Sequence, residues 1–344
     1  MTVKVNNLKL KMRQPMSKET ILLGLALLIF VFSFTIGRYP ISPGKLLMIL
    51  AARFFPIPHT WPATMDVVVF SVRLPRIIAA MLVGAALATS GAAFQGMFRN
   101  PLVSPDILGA SMGAGFGACL GIYFSFSELG IQLMSFAFGI LAVMLAYSIS
   151  NRVRFDPMLV LVLSGVLVGT IFTAGTSLIK FVADPENKLP DITFWLMGSL
   201  SAITPQDVVA VIIPTLLGGI PLYILRWRLN VLSLGDEEAM ALGLETRRLR
   251  FVVIVCSTLI TSAAVSISGL IGWVGLIVPH WARMIVGPDY KALLPTAIIL
   301  GAAYLLLVDD LARCLFSVEI PLGILTAIIG APFFYYLLVT GRKG

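Results

Sequence analysis

The side chains that most often do chemistry are few in this chain and poorly placed for it. His59 and His280 are the two histidines in 344 residues. Neither has an adjacent Asp, Glu or Cys with which to build an acid–base pair or a metal site. His280 follows Pro279 and reads as a helix-end residue. Cys119, Cys256 and Cys314 lie far apart without CxxC or Cys/His spacing, and two of them sit in apolar runs where packing is the expected role. Gly109, Gly113 and Gly117 could suggest a phosphate-binding loop, but the run is free of charge and lacks a Gly-Lys-Ser/Thr ending. Their i, i+4, i+8 spacing suits close approach of membrane helices instead. No catalytic residue, metal site or directly bound cofactor is expected, so any ATP must be used by a partner.

The remaining polar segments are suited to docking. Segment 226–250 holds a short helix, expected over Asp236–Leu242 between Gly235 and Gly243 as stop signals. Asp236, Glu237 and Glu238 open it, where negative charge suits the helix dipole, and Ala239, Met240 and Leu242 are its apolar contacts. So short a helix has little reason to form unless it rests on a partner or on the bilayer surface. Arg73 and Arg76 flank a Leu-Pro pair, and Arg313 follows Asp309-Asp310. These arginines either receive an acidic protein surface or pair with their own carboxylates, such as Arg313 with Asp309 four residues earlier.

The elements that position these residues follow from composition. Hydrophobic residues make up 58% of the chain and charged residues 12%, with a mean hydropathy of +0.96. Soluble domains run about 45–50% apolar and about 25% charged. Too few polar groups remain to coat a soluble globule, so the chain reads as an all-α integral membrane protein. The net charge of +8 does not gather on one face; its basic residues fall in short groups between apolar runs, which excludes a nucleic-acid partner and fits the positive-inside pattern.

A crossing needs roughly 20 apolar residues. Charge-free stretches occur at 21–37, 77–98, 107–127, 129–151, 157–179, 208–225, 251–282, 292–308 and 320–341. The stretch 251–282 is too long for one crossing and carries Ser268-Gly269-Leu270-Ile271-Gly272 in its middle, so it divides in two and gives ten spans. With the N-terminus inside, 17 of the 25 basic residues fall on that side and eight on the other, which places both termini in the cytoplasm. Residues 1–20 form the cytoplasmic N-terminal segment, the first span reads as a signal anchor, and 21–344 form one transmembrane domain. None of the ten spans carries Asp, Glu, Lys or Arg in its interior, which argues against ion coupling through side chains. Spans 2–5 and 7–10 form two blocks offset by five crossings, and the odd offset makes them inverted repeats.

Four strings then resemble one family in its own order: RLPRIIAAMLVGAALATSGAAFQGMFRNPLVSPDILG (Arg73–Gly109), LGDEEAMALGL (Leu234–Leu244), GLIGWVGLIVPHWAR (Gly269–Arg283) and EIPLGILTAIIGAPFF (Glu319–Phe334). They are similar to the permease family of ATP-driven importers for ferric siderophores, haem and cobalamin. The resemblance implies ten helices per subunit, a dimer with a second copy or a paralogue, and a central path lined by helices 5 and 10. It implies that Gly235–Gly243 form the coupling helix seated on cytoplasmic ATPase subunits. Arg73, Arg76 and Arg313 match positions that meet an extracytoplasmic substrate-binding protein, and Asn100 and Leu102 match a cytoplasmic gate. FDPMLV at 155–160 departs from the family's second gate. The implied cargo is an iron chelate, with cobalamin or an oxyanion as the alternative; an ATP-independent secondary transporter is the reading from another class.

Overall fold

The computed structural model describes residues 18–37, 39–153 and 155–340. The N-terminal segment and the basic tail, on which the expected orientation partly rests, lie outside these residues. Among the described residues the chain forms fourteen helices: α1 (Lys18–Ser33), α2 (Pro43–Ala51), α3 (Ala63–Phe98), α4 (Ala110–Tyr123), α5 (Glu128–Ser150), α6 (Pro157–Val182), α7 (Lys188–Met197), α8 (Pro205–Ile224), α9 (Arg226–Leu234), α10 (Asp236–Ala241), α11 (Thr246–Ser268), α12 (Val274–Val286), α13 (Tyr290–Cys314) and α14 (Leu322–Thr340). Six of them, α3, α5, α6, α8, α11 and α13, are long and apolar enough to cross a membrane. Each of the ten expected spans contains one helix, and the division of 251–282 falls at 269–273 between α11 and α12.

Polar residues at the helix ends explain several of these boundaries. Ser127 accepts a hydrogen bond from Gly130 N–H at the start of α5, and Asp156 accepts from Met158 N–H at 2.9 Å at the start of α6. Thr204 and Asp207 form a reciprocal capping box on α8. The FDPMLV departure is therefore a helix start, an Asp cap followed by Pro157 in the first turn.

α3 and α13 lie at the centre and run antiparallel, with Gly84 against Gly301; a Cβ on either glycine would overlap the other's carbonyl oxygen. Gly113 and Gly117 of α4 face the backbone of α5 at Phe138 and Met134 in the same way. Gly109 departs from that stripe: it precedes α4 with φ +84° and faces α6 at Gly165. α4 and α12, the second helix of each expected block, are both short and are both reached through irregular backbone, at 99–109 and 269–273.

Three boundaries correct the charge-counting expectation. α3 begins at Ala63 instead of 77, α6 runs to Val182 past Lys180, and α13 runs to Cys314 instead of 308. Counting stopped at charged residues, whereas the fold neutralises several of them. Asp309 and Asp310 lie inside α13, buried and paired, so that helix does carry charges. The four helices α2, α7, α9 and α10 lie outside the expected spans, and only α10 was anticipated.

Candidate functional site

Polar and exposed features gather at two ends of the bundle. At one end, residues 226–250 fold into α9, α10 and the start of α11. The helix expected over Asp236–Leu242 is α10, ending at Ala241, with Leu242 capping its C-terminus. Gly235 and Gly243 flank it at φ +147° and +80°, conformations that L side chains rarely adopt. Of its apolar residues only Ala239 is buried. Leu234, Met240 and Leu242 are 62%, 56% and 63% exposed, and Glu237 and Glu238 stand free beside them. An apolar cluster formed by a six-residue helix and the residues that flank it, with an acidic fringe, has the composition of a docking knob.

That knob is fixed to the bundle from behind. Arg250 of α11 pairs with Asp236. α9 is tied to α13 through Asn230, which donates to Asp289 Oδ1 at 2.6 Å and accepts from Tyr290 N–H at 2.7 Å. The Lys291 N–H and the Asn230 amide hold the Asp289 carboxyl below its ordinary pKa. The Arg250 and Asn230 ties were not anticipated from sequence, because neither pair falls on one helix face.

At the opposite end lie Arg73, Arg76 and Arg313, only 4%, 6% and 6% exposed. Arg76 donates through Nε to both Asp309 oxygens at 3.0 and 3.1 Å, and its Nη1 reaches Glu319 Oε1 at 3.1 Å. Arg313 Nε lies 3.2 Å from Asp309 Oδ2, and its Nη2 pairs with Asp310. Asp310 in turn accepts from Ser33 at 2.5 Å, and Arg73 donates to the carbonyls of Phe34 and Tyr39. Arg76 and Arg313 thus pair with carboxylates of the chain itself, and Arg73 with backbone carbonyls. They clamp α1, α3, α13 and the approach to α14, and present little free positive surface. Arg313–Asp309 was legible from its i, i+4 spacing; the reach of Arg76 to Glu319 was not.

Asn100 and Leu102 follow α3, which ends on Arg99 at φ +53°. Asn100 Oδ1 accepts from Leu102 N–H at 2.9 Å, which turns Leu102 outward at 47% exposure. Leu102 borders a cleft of about 440 Å³ together with Asp106, Met112, Gly165, Thr170 and Thr173. The hydroxyls of Thr170, Thr173 and Ser177 on α6 donate to carbonyls one turn back. They offer a passing molecule only oxygen lone pairs. A further cavity of about 520 Å³ lies among the α4–α5 turn, α7 and the end of α11, lined in part by Glu128, Lys188, Asp191 and Asp207. One other expectation needs correction: His59 does have a carboxylate partner, Asp66, at 2.7 Å, brought close by the turn before α3. The pair is solvent-accessible, and Asp66 lies on α3 seven residues before Arg73.

A model of the FecCD transport family matches residues 25–340. A molybdate import system permease protein of Haemophilus influenzae is 44% identical over 336 residues, 96% of this chain and 98% of that one. A Helicobacter pylori protein described as an iron chelatin transport system permease is 41% identical over 280 residues, 81% of this chain and 85% of its own. Among solved structures, an inward-facing transporter described as of the metal-chelate ABC type matches with a TM-score of 0.84 at 42% identity, covering 94% of this chain and 98% of that one.

Proposed function

The chain belongs to the FecCD transport family, and on that premise we propose that it is the membrane-spanning subunit of an ATP-driven importer that passes an iron chelate from an extracytoplasmic binding protein into the cytoplasm. The observation that carries the importer reading is the exposed α10 knob, Met240 and Leu242 between Gly235 and Gly243 with Leu234 beside them. Nothing in a self-contained secondary transporter calls for such a knob outside the bilayer. It is read as the seat of a cytoplasmic ATPase subunit, which places the 226–250 end in the cytoplasm. ATP is then bound and hydrolysed by that partner, and the chain itself is not an enzyme.

The path is read as lying between two copies, or a copy and a paralogue, with α6 and α14 facing it. Leu102, on the cytoplasmic side of the cleft, and Asn100, which orients it, are read as the gate. The α6 hydroxyls turned into their own helix give a lining that holds cargo weakly, so a bulky chelate can leave as readily as it enters. Arg73, Arg76 and Arg313 enter the proposal first as the clamp that shapes the outer rim. An acidic binding-protein surface reaches them there by displacing Glu319, whose side chain is 30% exposed.

A second cargo reading, a molybdate-like oxyanion, is favoured by the 44% identical relative. Uptake of labelled ferric siderophore, cobalamin and molybdate in a strain lacking the gene, with and without complementation, separates the readings. Loss of ferric siderophore uptake alone, restored by the gene and abolished by ATP depletion, is the expected result. Loss of molybdate or cobalamin uptake instead would keep the importer and replace the cargo.

A further inference from the structure

α10 is less than two turns of helix and cannot hold itself together, since helices this short are marginal in water. Its flanks are glycines at φ +147° and +80°, free of the restriction that a Cβ places on backbone rotation. Two features attach it to the bundle: buried Ala239, and the ion pair from Asp236 to Arg250. The capping position of α10 is Gly235, which has no side chain to cap with, and Asp236, the first helical residue, reaches across to α11. The Arg250 side chain is 12% exposed, and its Nε is buried with no hydrogen-bond partner. The guanidinium is thus committed to Asp236.

α11, a largely buried helix of 23 residues, continues from this contact at Arg250 to Ser268, roughly 27 Å at 1.5 Å per residue. At its far end the Ser268 carbonyl accepts from Ser199 N–H at 2.8 Å, and the neighbouring Gly198 carbonyl accepts from Leu322 N–H at 2.9 Å at the start of α14. One continuous set of bonds therefore runs from α10 to the opposite end of the molecule.

We propose that Arg250 is a positioning residue for energy coupling: through Asp236 it fixes α10 to α11, so that displacement of α10 is delivered along α11 to the 198–199 segment and α14. The proposal rests on the reading of α10 as the ATPase seat. It adds that the motion leaves α10 through a side-chain pair and not through the glycine-hinged backbone, which would absorb it.

The test uses the whole permease–ATPase complex in liposomes and needs no cargo. Ser201, exposed beside the 198–199 segment, is changed to Cys in a chain whose exposed Cys314 is replaced by Ser. Its maleimide labelling rate is compared without nucleotide and after vanadate trapping with ATP. The unaltered pair should show a nucleotide-dependent change in rate. Arg250→Gln should shrink that change by at least about fivefold, the low end of usual site-to-site coupling, while the ATPase still co-purifies and hydrolyses ATP. The exchange Arg250→Asp with Asp236→Arg should restore it, which a general loss of packing would not allow.

Should Arg250→Gln not fold, Asp236→Asn severs the same pair from its exposed side and should shrink the change equally. An undiminished change in the single variants overturns the proposal. So does failure of the exchange to restore it, since Asp236 would then be acting on the ATPase itself, and so does the absence of any change in the unaltered pair. Failure of the ATPase to co-purify with the unaltered chain would instead remove the importer reading beneath it.

Discussion

Arg76 holds Asp309 of α13 and Glu319 of the approach to α14 at once, and Asp309 has no exposure. Removing Arg76 leaves Asp309 with Arg313 as its remaining partner and Glu319 with none, so Arg76→Ala should cost about 1–3 kcal/mol of stability, the cost of leaving part of a buried acceptor set unmet. Denaturant unfolding in detergent would register it. Arg76→Lys should recover only part, because an ammonium cannot form the two-pronged contact. Asp289 acts differently. Its folded pKa is lowered by the Lys291 N–H and Asn230, so its stabilising effect is present above the ordinary carboxylate range and lost as pH falls through the lowered value. The melting-temperature gap between the unaltered chain and Asp289→Asn should stay level above the ordinary carboxylate range and close as pH falls through the lowered value. Residue roles were legible where the partner lies on the same helix turn, as for Arg313 and Asp309. They were not legible for Arg76–Glu319 or Arg250–Asp236, because contacts made across the fold leave no spacing in the sequence.

The pairing of α3 with α13 depends on Gly84 and Gly301, where backbone meets backbone. Gly84→Val must push the helices apart and should lower stability by about 1–3 kcal/mol, as overpacking does. Gly219 of α8 has open space where a Cβ would go, so Gly219→Ala should be neutral or stabilising by about 0.5–1 kcal/mol. Thermal melts of both variants would separate close approach from helix propensity. Most of the helices could be read from apolar runs, because hydrophobic length is what a bilayer selects. Helix ends could not: α3 and α13 continue through charged residues that the tertiary structure neutralises. α7 and α9 escaped notice because neither is long or apolar enough to be read as a crossing. The Gly269–Gly272 break was legible, since a 32-residue apolar run is too long for one crossing.

At the scale of the whole molecule, the structure has a clamped rim at one end and a hinged, apolar knob at the other. A rigid rim suits a surface that receives a carrier, and a hinged knob suits one that is pushed. The class of molecule was legible from composition and from four ordered strings. Its cargo was not, because apolar groups and hydroxyls bonded back to their own helix, as on α6, carry no chemical signature of a particular molecule. The account stands most directly on the binding of an ATPase subunit to α10. The measurement is the affinity of that subunit for the purified chain in lipid nanodiscs, comparing the unaltered protein with Met240→Asp and Leu242→Asp, and with Glu237→Lys plus Glu238→Lys. The account predicts that each change weakens binding by at least about tenfold, the effect of losing an interface hot spot, while the melting temperature is unchanged. Equal affinity for the unaltered and altered chains would contradict it.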